Sequence, residues 1–159
     1  MKITLVCVGK IKEAFYRAAV EEYGKRLSRY CRLEILEVAD EKIPDGASRA
    51  QEEQIKAREG GRILEKIRDD ALVCTLEIGG RRFSSEEFAG WLEKAAIGGT
   101  GHIVFVIGGS LGLHESVVRR ADLHLSFSDM TFPHQLMRVI LAEQIYRAFR
   151  IIQGEPYHK

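Results

Sequence analysis

No stretch of this 159-residue sequence approaches the roughly 18 uninterrupted apolar residues of a membrane-spanning helix, so no span is expected. The amino terminus, MKITLVCVGKIKE, lacks the long apolar region and small-residue cleavage site of a secretory signal, which points to a cytoplasmic protein. Cysteine is scarce. Cys7, Cys31 and Cys74 show no paired metal-ligand spacing, and an odd count suits a reducing compartment, so neither a metal nor a disulfide framework is expected. An excess of one charge is also missing, because 24 basic and 23 acidic residues leave a formal charge of +1. That argues against a general nucleic-acid coat and leaves room for a local basic patch. Two phosphate-binding fingerprints are absent as well: the first strand is not followed by GxGxxG, and the GK pair at Gly9 and Lys10 lacks the earlier glycine and following Ser or Thr of a P-loop. With no repeat, low-complexity tract or interdomain linker, residues 1–159 read as one domain.

What is present is an alternation of strand-like and helix-like patterns. Ile3 to Val8 reads as a strand, and Phe15, Ala19, Tyr23 and Leu27 recur at helical spacing, most simply as core residues. A second strand covers Leu33 to Val38, and Asp40 to Ser48 is a loop. Ser48 opens a helix whose middle is weakened by Gly60 and Gly61. Leu72 to Ile78 predicts a strand ending at Gly79 and Gly80, and Ser84 with Glu87 fits the capping box of the next helix. The order predicts an α/β domain with a mostly parallel sheet of about five strands and helices on both faces.

The last third carries the chemistry. Ile103 to Ile107 is continuously apolar and β-branched, the pattern of a strand covered on both sides, and it stops at Gly108 and Gly109. Such a pair makes either a tight turn or room for a ligand. A short helix near His114 to Arg120 and a brief strand around Leu123 to Phe127 follow. A loop of hydroxyls, a carboxylate and aromatics, Ser126 to Phe132, then feeds through Pro133 into a long helix reaching about Gln153. That helix has two apolar stripes, one through Val139, Ala142, Tyr146 and Phe149 and one through Met137, Leu141, Ile145, Ala148 and Ile152. Both must be covered, which predicts a homodimer.

MKITLVCVGK, EEYGKRLSRY, IGGSLG, LSFSDMTFPHQLMRVILAEQIYRAF and the terminal GEPYHK, in this order and in a chain of this size, resemble the RlmH family of small ribosomal RNA methyltransferases in the SPOUT superfamily. The resemblance covers nearly the whole chain. It implies a carboxyl-terminal trefoil knot, which chain-order rules alone would not suggest. It also implies a homodimer that binds S-adenosylmethionine in the knot and methylates N3 of a pseudouridine in 23S rRNA within the assembled ribosome. The cofactor contacts it implies are Leu76, Gly108, Phe127, Ser128, Asp129, Met130, Thr131 and Phe132.

Removing the N3 proton calls for a base or a prior ionisation, with His158 and His134 as candidates and Tyr157 able to orient the base or the uracil ring. His134, Arg138, Arg147 and Lys159 are candidates for contacting RNA, with Lys10, Lys12 and Arg150 as further cations. His102, His114 and His124 read as structural or exposed. The tail Gly154 to Lys159 is expected to complete the active site across the dimer. A different class of function fits the same pattern: a catalytically silent ribosome-binding or nucleotide-sensing dimer that keeps the glycine loops for folding.

Overall fold

A computed structural model describes all residues, Met1 to Lys159. Five strands, β1 (Lys2–Val8), β2 (Arg32–Val38), β3 (Leu72–Arg82), β4 (His102–Ile107) and β5 (Leu123–Ser126), alternate with five helices. The helices are α1 (Ala14–Leu27), α2 (Arg49–Glu65), α3 (Ser85–Ile97), α4 (Glu115–Arg120) and α5 (His134–Ile152). The strands form one all-parallel sheet in the order β2-β1-β4-β3-β5.

Both faces of the sheet are covered, and the period-2 alternation of the strands divides the core accordingly. Ile3, Leu5 and Cys7 of β1 and Ile103, Phe105 and Ile107 of β4 pack beneath α1, α3 and α5. Val6, Val8, Val104 and Val106 turn the other way, toward Ile63 of α2 and Val117 of α4. Larger side chains thus face the three-helix layer and valines the two-helix layer. The uninterrupted apolar reading of β1 and β4 follows from burial on both sides. The three cysteines are unbonded and buried, and burial pushes the thiols of Cys7 up to about 12 and Cys31 up to about 11.

Both predicted caps are present. Ser48 Oγ accepts the Gln51 N–H while Gln51 accepts the Ser48 N–H, and Ser84 and Glu87 make the same reciprocal pair. Gly60 does not break α2. It lies where α4 crosses, and an added Cβ would stand 3.1 Å from His114 Cβ and 3.3 Å from Val117 Cγ2, so glycine here sets the approach of two helices.

Three elements differ from the sequence reading. Phe15, expected in the core, is 65% exposed at the start of α1. Pro133 occupies the N-cap rather than the first helical position of α5. β3 continues through Gly79 and Gly80 to Arg82, with a register shift against β5 between Leu76 and Arg81. Gly80 permits that continuation, because a Cβ there would lie 2.8 Å from the backbone C and O of His124. Gly80→Ala is therefore expected to cost about 3 kcal/mol, the upper end of overpacking penalties, and to lower the urea midpoint. Gly79→Ala, whose Cβ would meet nothing within 4 Å, is the matched control. Equal losses in the two variants would contradict the close-approach explanation.

Candidate active site

Parallel strands place all their carboxyl ends on one edge, and the main cleft opens there, at the ends of β3, β4 and β5. It has a volume of about 790 Å³. Its walls are Leu76 to Ile78, the turn Ile107 to Leu113, and the loop between β5 and α5. Of the eight cofactor contacts implied by resemblance, Leu76, Gly108, Phe127, Ser128, Met130, Thr131 and Phe132 line it. Asp129 does not. It is exposed and ion-paired with Arg82 outside the cleft, and Arg82 holds its carboxyl below the usual range.

The glycine turn is compact and borders the cleft. It is tight, since Gly112 adopts a φ of +86° and donates to the Gly109 carbonyl at 3.1 Å. A Cβ on Gly108 would stand 2.9 Å from Leu113 Cδ2, and one on Gly109 would stand 3.1 Å from Glu59 Oε1 and 3.2 Å from Val8 Cγ1. That compactness leaves the N–H groups of Gly108, Ser110 and Leu111 without partners in the chain, at the edge of the cleft. The other wall is organised by Ser126, whose Oγ donates to the Ile78 carbonyl at 2.8 Å, and by Ser128, whose Oγ accepts the Met130 N–H at 3.0 Å. These donors beside Phe127, Phe132 and Met137 suit a ligand with a planar heterocycle and a polar sugar.

Glu77 supplies the single carboxylate of the lining, held by the Thr75 hydroxyl at 2.6 Å and by His124 Nδ1 at 2.5 Å. A strand-borne glutamate carries no motif, so nothing in the sequence marked it. His124 and His114 are structural as expected, His114 accepting the Ser116 N–H at the N-cap of α4.

The remaining candidates separate into two places. His134 lines the cleft with Nδ1 buried and unpartnered, and burial, reinforced by Arg138, lowers its pKa. Tyr157, His158, Arg147 and Lys159 line none of it. Tyr157 donates to Glu143 Oε1 at 3.0 Å and lies under the Arg147 guanidinium, and burial together with that hydrogen bond pushes its phenol up to about 12. Arg147 bonds Glu143 Oε1 at 2.5 Å and His158 Nδ1 at 3.1 Å. Because arginine only donates, Nδ1 is the acceptor and Nε2 carries the proton toward Glu86 Oε1 at 2.7 Å. Lys159 is exposed.

Arg138 must be corrected. It is fully buried, with NH1 2.6 Å from Glu37 Oε2 and NH2 2.7 Å from the Gly9 carbonyl. A guanidinium so enclosed positions the β1 turn and does not meet RNA. Helical periodicity could not reveal this, because the partners lie 101 and 129 residues away.

A family model described as a predicted SPOUT methyltransferase matches residues 1–158. The chain belongs to the SPOUT methyltransferase family. Within it the similarity is to RlmH-type proteins. The chain is 57% identical to the ribosomal RNA large subunit methyltransferase H of Clostridium beijerinckii and 60% identical to that of Bifidobacterium adolescentis, over all of both chains in each case. It is 57% identical to the protein of that name from Clostridium botulinum, again end to end. SPOUT membership implies a carboxyl-terminal trefoil knot. The chemistry of the family is methyl transfer, which the silent-dimer alternative lacks.

Proposed function

We propose that this RlmH-type chain uses S-adenosylmethionine to methylate N3 of a pseudouridine in large-subunit 23S rRNA on the assembled ribosome. The observation that carries the cofactor reading is the cleft itself, where unpaired backbone donors, two phenylalanines and one anchored carboxylate converge at the strand ends. When bound, the cofactor supplies an electrophilic methyl group on a sulfonium, so the chain's task is mainly to position the reactants. Leu76, Phe127, Ser128, Met130, Thr131 and Phe132 would hold the adenosine, the glycine turn would face polar groups, and Glu77 would complement positive charge.

The tail carries the second half of the reading. It lies against α3 and α5 of its own chain and away from its own cleft, so it reaches a cofactor by meeting the cleft of a second subunit. Leu136, Val139 and Ile140 of α5 are half-buried and pack on neither core, which makes them the natural dimer contact. In that homodimer His158 manages the N3 proton after releasing Arg147, and Tyr157, neutral at working pH, orients the base. Arg147, Lys159 and His134 meet the RNA near the target.

Transfer of labelled methyl from S-adenosylmethionine to 70S ribosomes tests this function. Incorporation at a pseudouridine is expected, and none with a folded enzyme and unmodified ribosomes would refute it. By calorimetry, Gly108→Val should weaken cofactor binding at least tenfold, since its side chain would press Leu113 into the cleft wall. Unchanged affinity in that variant would place the cofactor elsewhere.

A further inference from the structure

We propose that the loop between β1 and α1, with the first turn of α1, is an RNA-docking platform. In it Phe15 stacks on an unpaired base, and Lys10 and Lys12 meet backbone phosphates. The proposal rests on the ribosomal RNA reading above and says which face of the chain receives the substrate.

Phe15 is 65% exposed, and the other strongly exposed large apolar residues, Ile43, Ile78, Ile97 and Met130, are all aliphatic. Its ring lies 4.4 Å from that of Tyr16, centroid to centroid, so two adjoining aromatic rings stand at this point. Lys10 and Lys12 are exposed on the same segment and form no ion pair. Glu13 is the one acid among them, so the segment stays cationic once Arg17 is included. An exposed aromatic with flanking cations suits single-stranded RNA, whose bases offer a flat apolar face and whose backbone carries the charge.

The platform is preorganised. Arg138 holds the Gly9 carbonyl, the Ile11 N–H donates to Glu37 at 3.0 Å, the Lys12 N–H donates to Gln135 at 2.8 Å, and Arg17 donates to the Ile11 carbonyl at 3.0 Å. Its backbone is therefore fixed before any ligand arrives, which lowers the ordering cost of binding. It also borders the reaction centre. Cys7 of β1 pairs in register with Ile107 of β4, so this loop and the glycine turn leave the same sheet edge on adjacent strands. His134 spans the gap: it lines the cleft, and its Cε1 lies 3.4 Å from where a Cβ on Gly9 would stand.

Co-sedimentation with unmodified 70S ribosomes, alongside sedimentation velocity of the free protein and cofactor calorimetry, tests the platform. Phe15→Ala should weaken ribosome binding about tenfold, the loss of one base–aromatic stack, and Phe15→Trp should restore it. The double variant Lys10→Glu, Lys12→Glu should bind more weakly still and reduce the slope of log affinity against log salt by about two. Cofactor affinity should not change. Ribosome binding equal to the parent's in both variants overturns the platform, as does conversion of a dimer to a monomer by Phe15→Ala, which would make the patch a contact between copies. Absence of methyl transfer by the parent overturns the catalytic reading instead, so the two failures are distinguishable.

Discussion

Arg138→Leu is expected to lower the melting temperature by about 6–12 °C and to weaken cofactor binding with it. The guanidinium is fully buried and joins α5 to the ends of β1 and β2 through Gly9 and Glu37. Removing one member of a buried pair costs about 3–5 kcal/mol. The lower figure applies here, because the Glu37 side chain remains 37% exposed and water can satisfy it once it is alone. At about 2–4 °C per kcal/mol for a chain of this size, that loss gives the stated range. Cofactor affinity falls because the same turn abuts His134 at the cleft. A melting temperature within 2 °C of the parent's would show that the pair adds nothing beyond an apolar side chain of similar size.

The same pair makes a prediction in pH. Burial pushes the Glu37 carboxyl up, but the bonds from Arg138 and the Ile11 N–H together outweigh it and hold the carboxyl below its ordinary value. A carboxyl whose folded pKa is depressed contributes stability above its unfolded pKa, about 4.3 for glutamate, and loses that contribution as pH falls through the folded value. Glu37→Gln should therefore destabilise the protein at pH 7 and approach the parent's stability below about pH 4. A difference that stays constant from pH 7 to pH 3 would assign the effect to shape rather than charge.

Deleting Tyr157 to Lys159 is expected to reduce methyl transfer to ribosomes by at least a hundredfold while leaving cofactor affinity within about twofold, consistent with loss of a general base and an orienting group. The structure separates these two effects: the tail lines no part of its own cleft, yet it places an aromatic ring, a histidine and a cation side by side on α5. Loss of the tail leaves the exposed Glu86 to water while Glu143 keeps its bonds from Arg147 and Gln144, so it costs little stability. His158→Ala should reproduce most of the catalytic loss, and Tyr157→Phe, which keeps the ring, a smaller part. Parent-like transfer by the truncated enzyme would remove the tail from the mechanism. A matching drop in cofactor affinity would place it in the cleft instead.

Much of this arrangement was legible in the residues, for local reasons. Strands buried on both faces must be apolar throughout, so β1 and β4 announced themselves, and the caps at Ser48 and Ser84 depend on residues three positions apart. Seven of the eight cofactor contacts implied by resemblance line the cleft because they lie at or just beyond the ends of strands, and a parallel sheet gathers those ends on one edge. What the tertiary structure alone decided concerns direction. Helical spacing placed Phe15 in a core stripe, and Arg138, a cation near the ligand loop, was a candidate for contacting RNA, whereas the fold points Phe15 into solvent and Arg138 inward. Periodicity reports which residues share a face of one element, and only the packing of α1 and α5 on the sheet determines where that face looks. Glu77 and the strand-like run through Gly80 depended likewise on distant partners, His124 and the backbone of β5, which no short stretch of sequence contains.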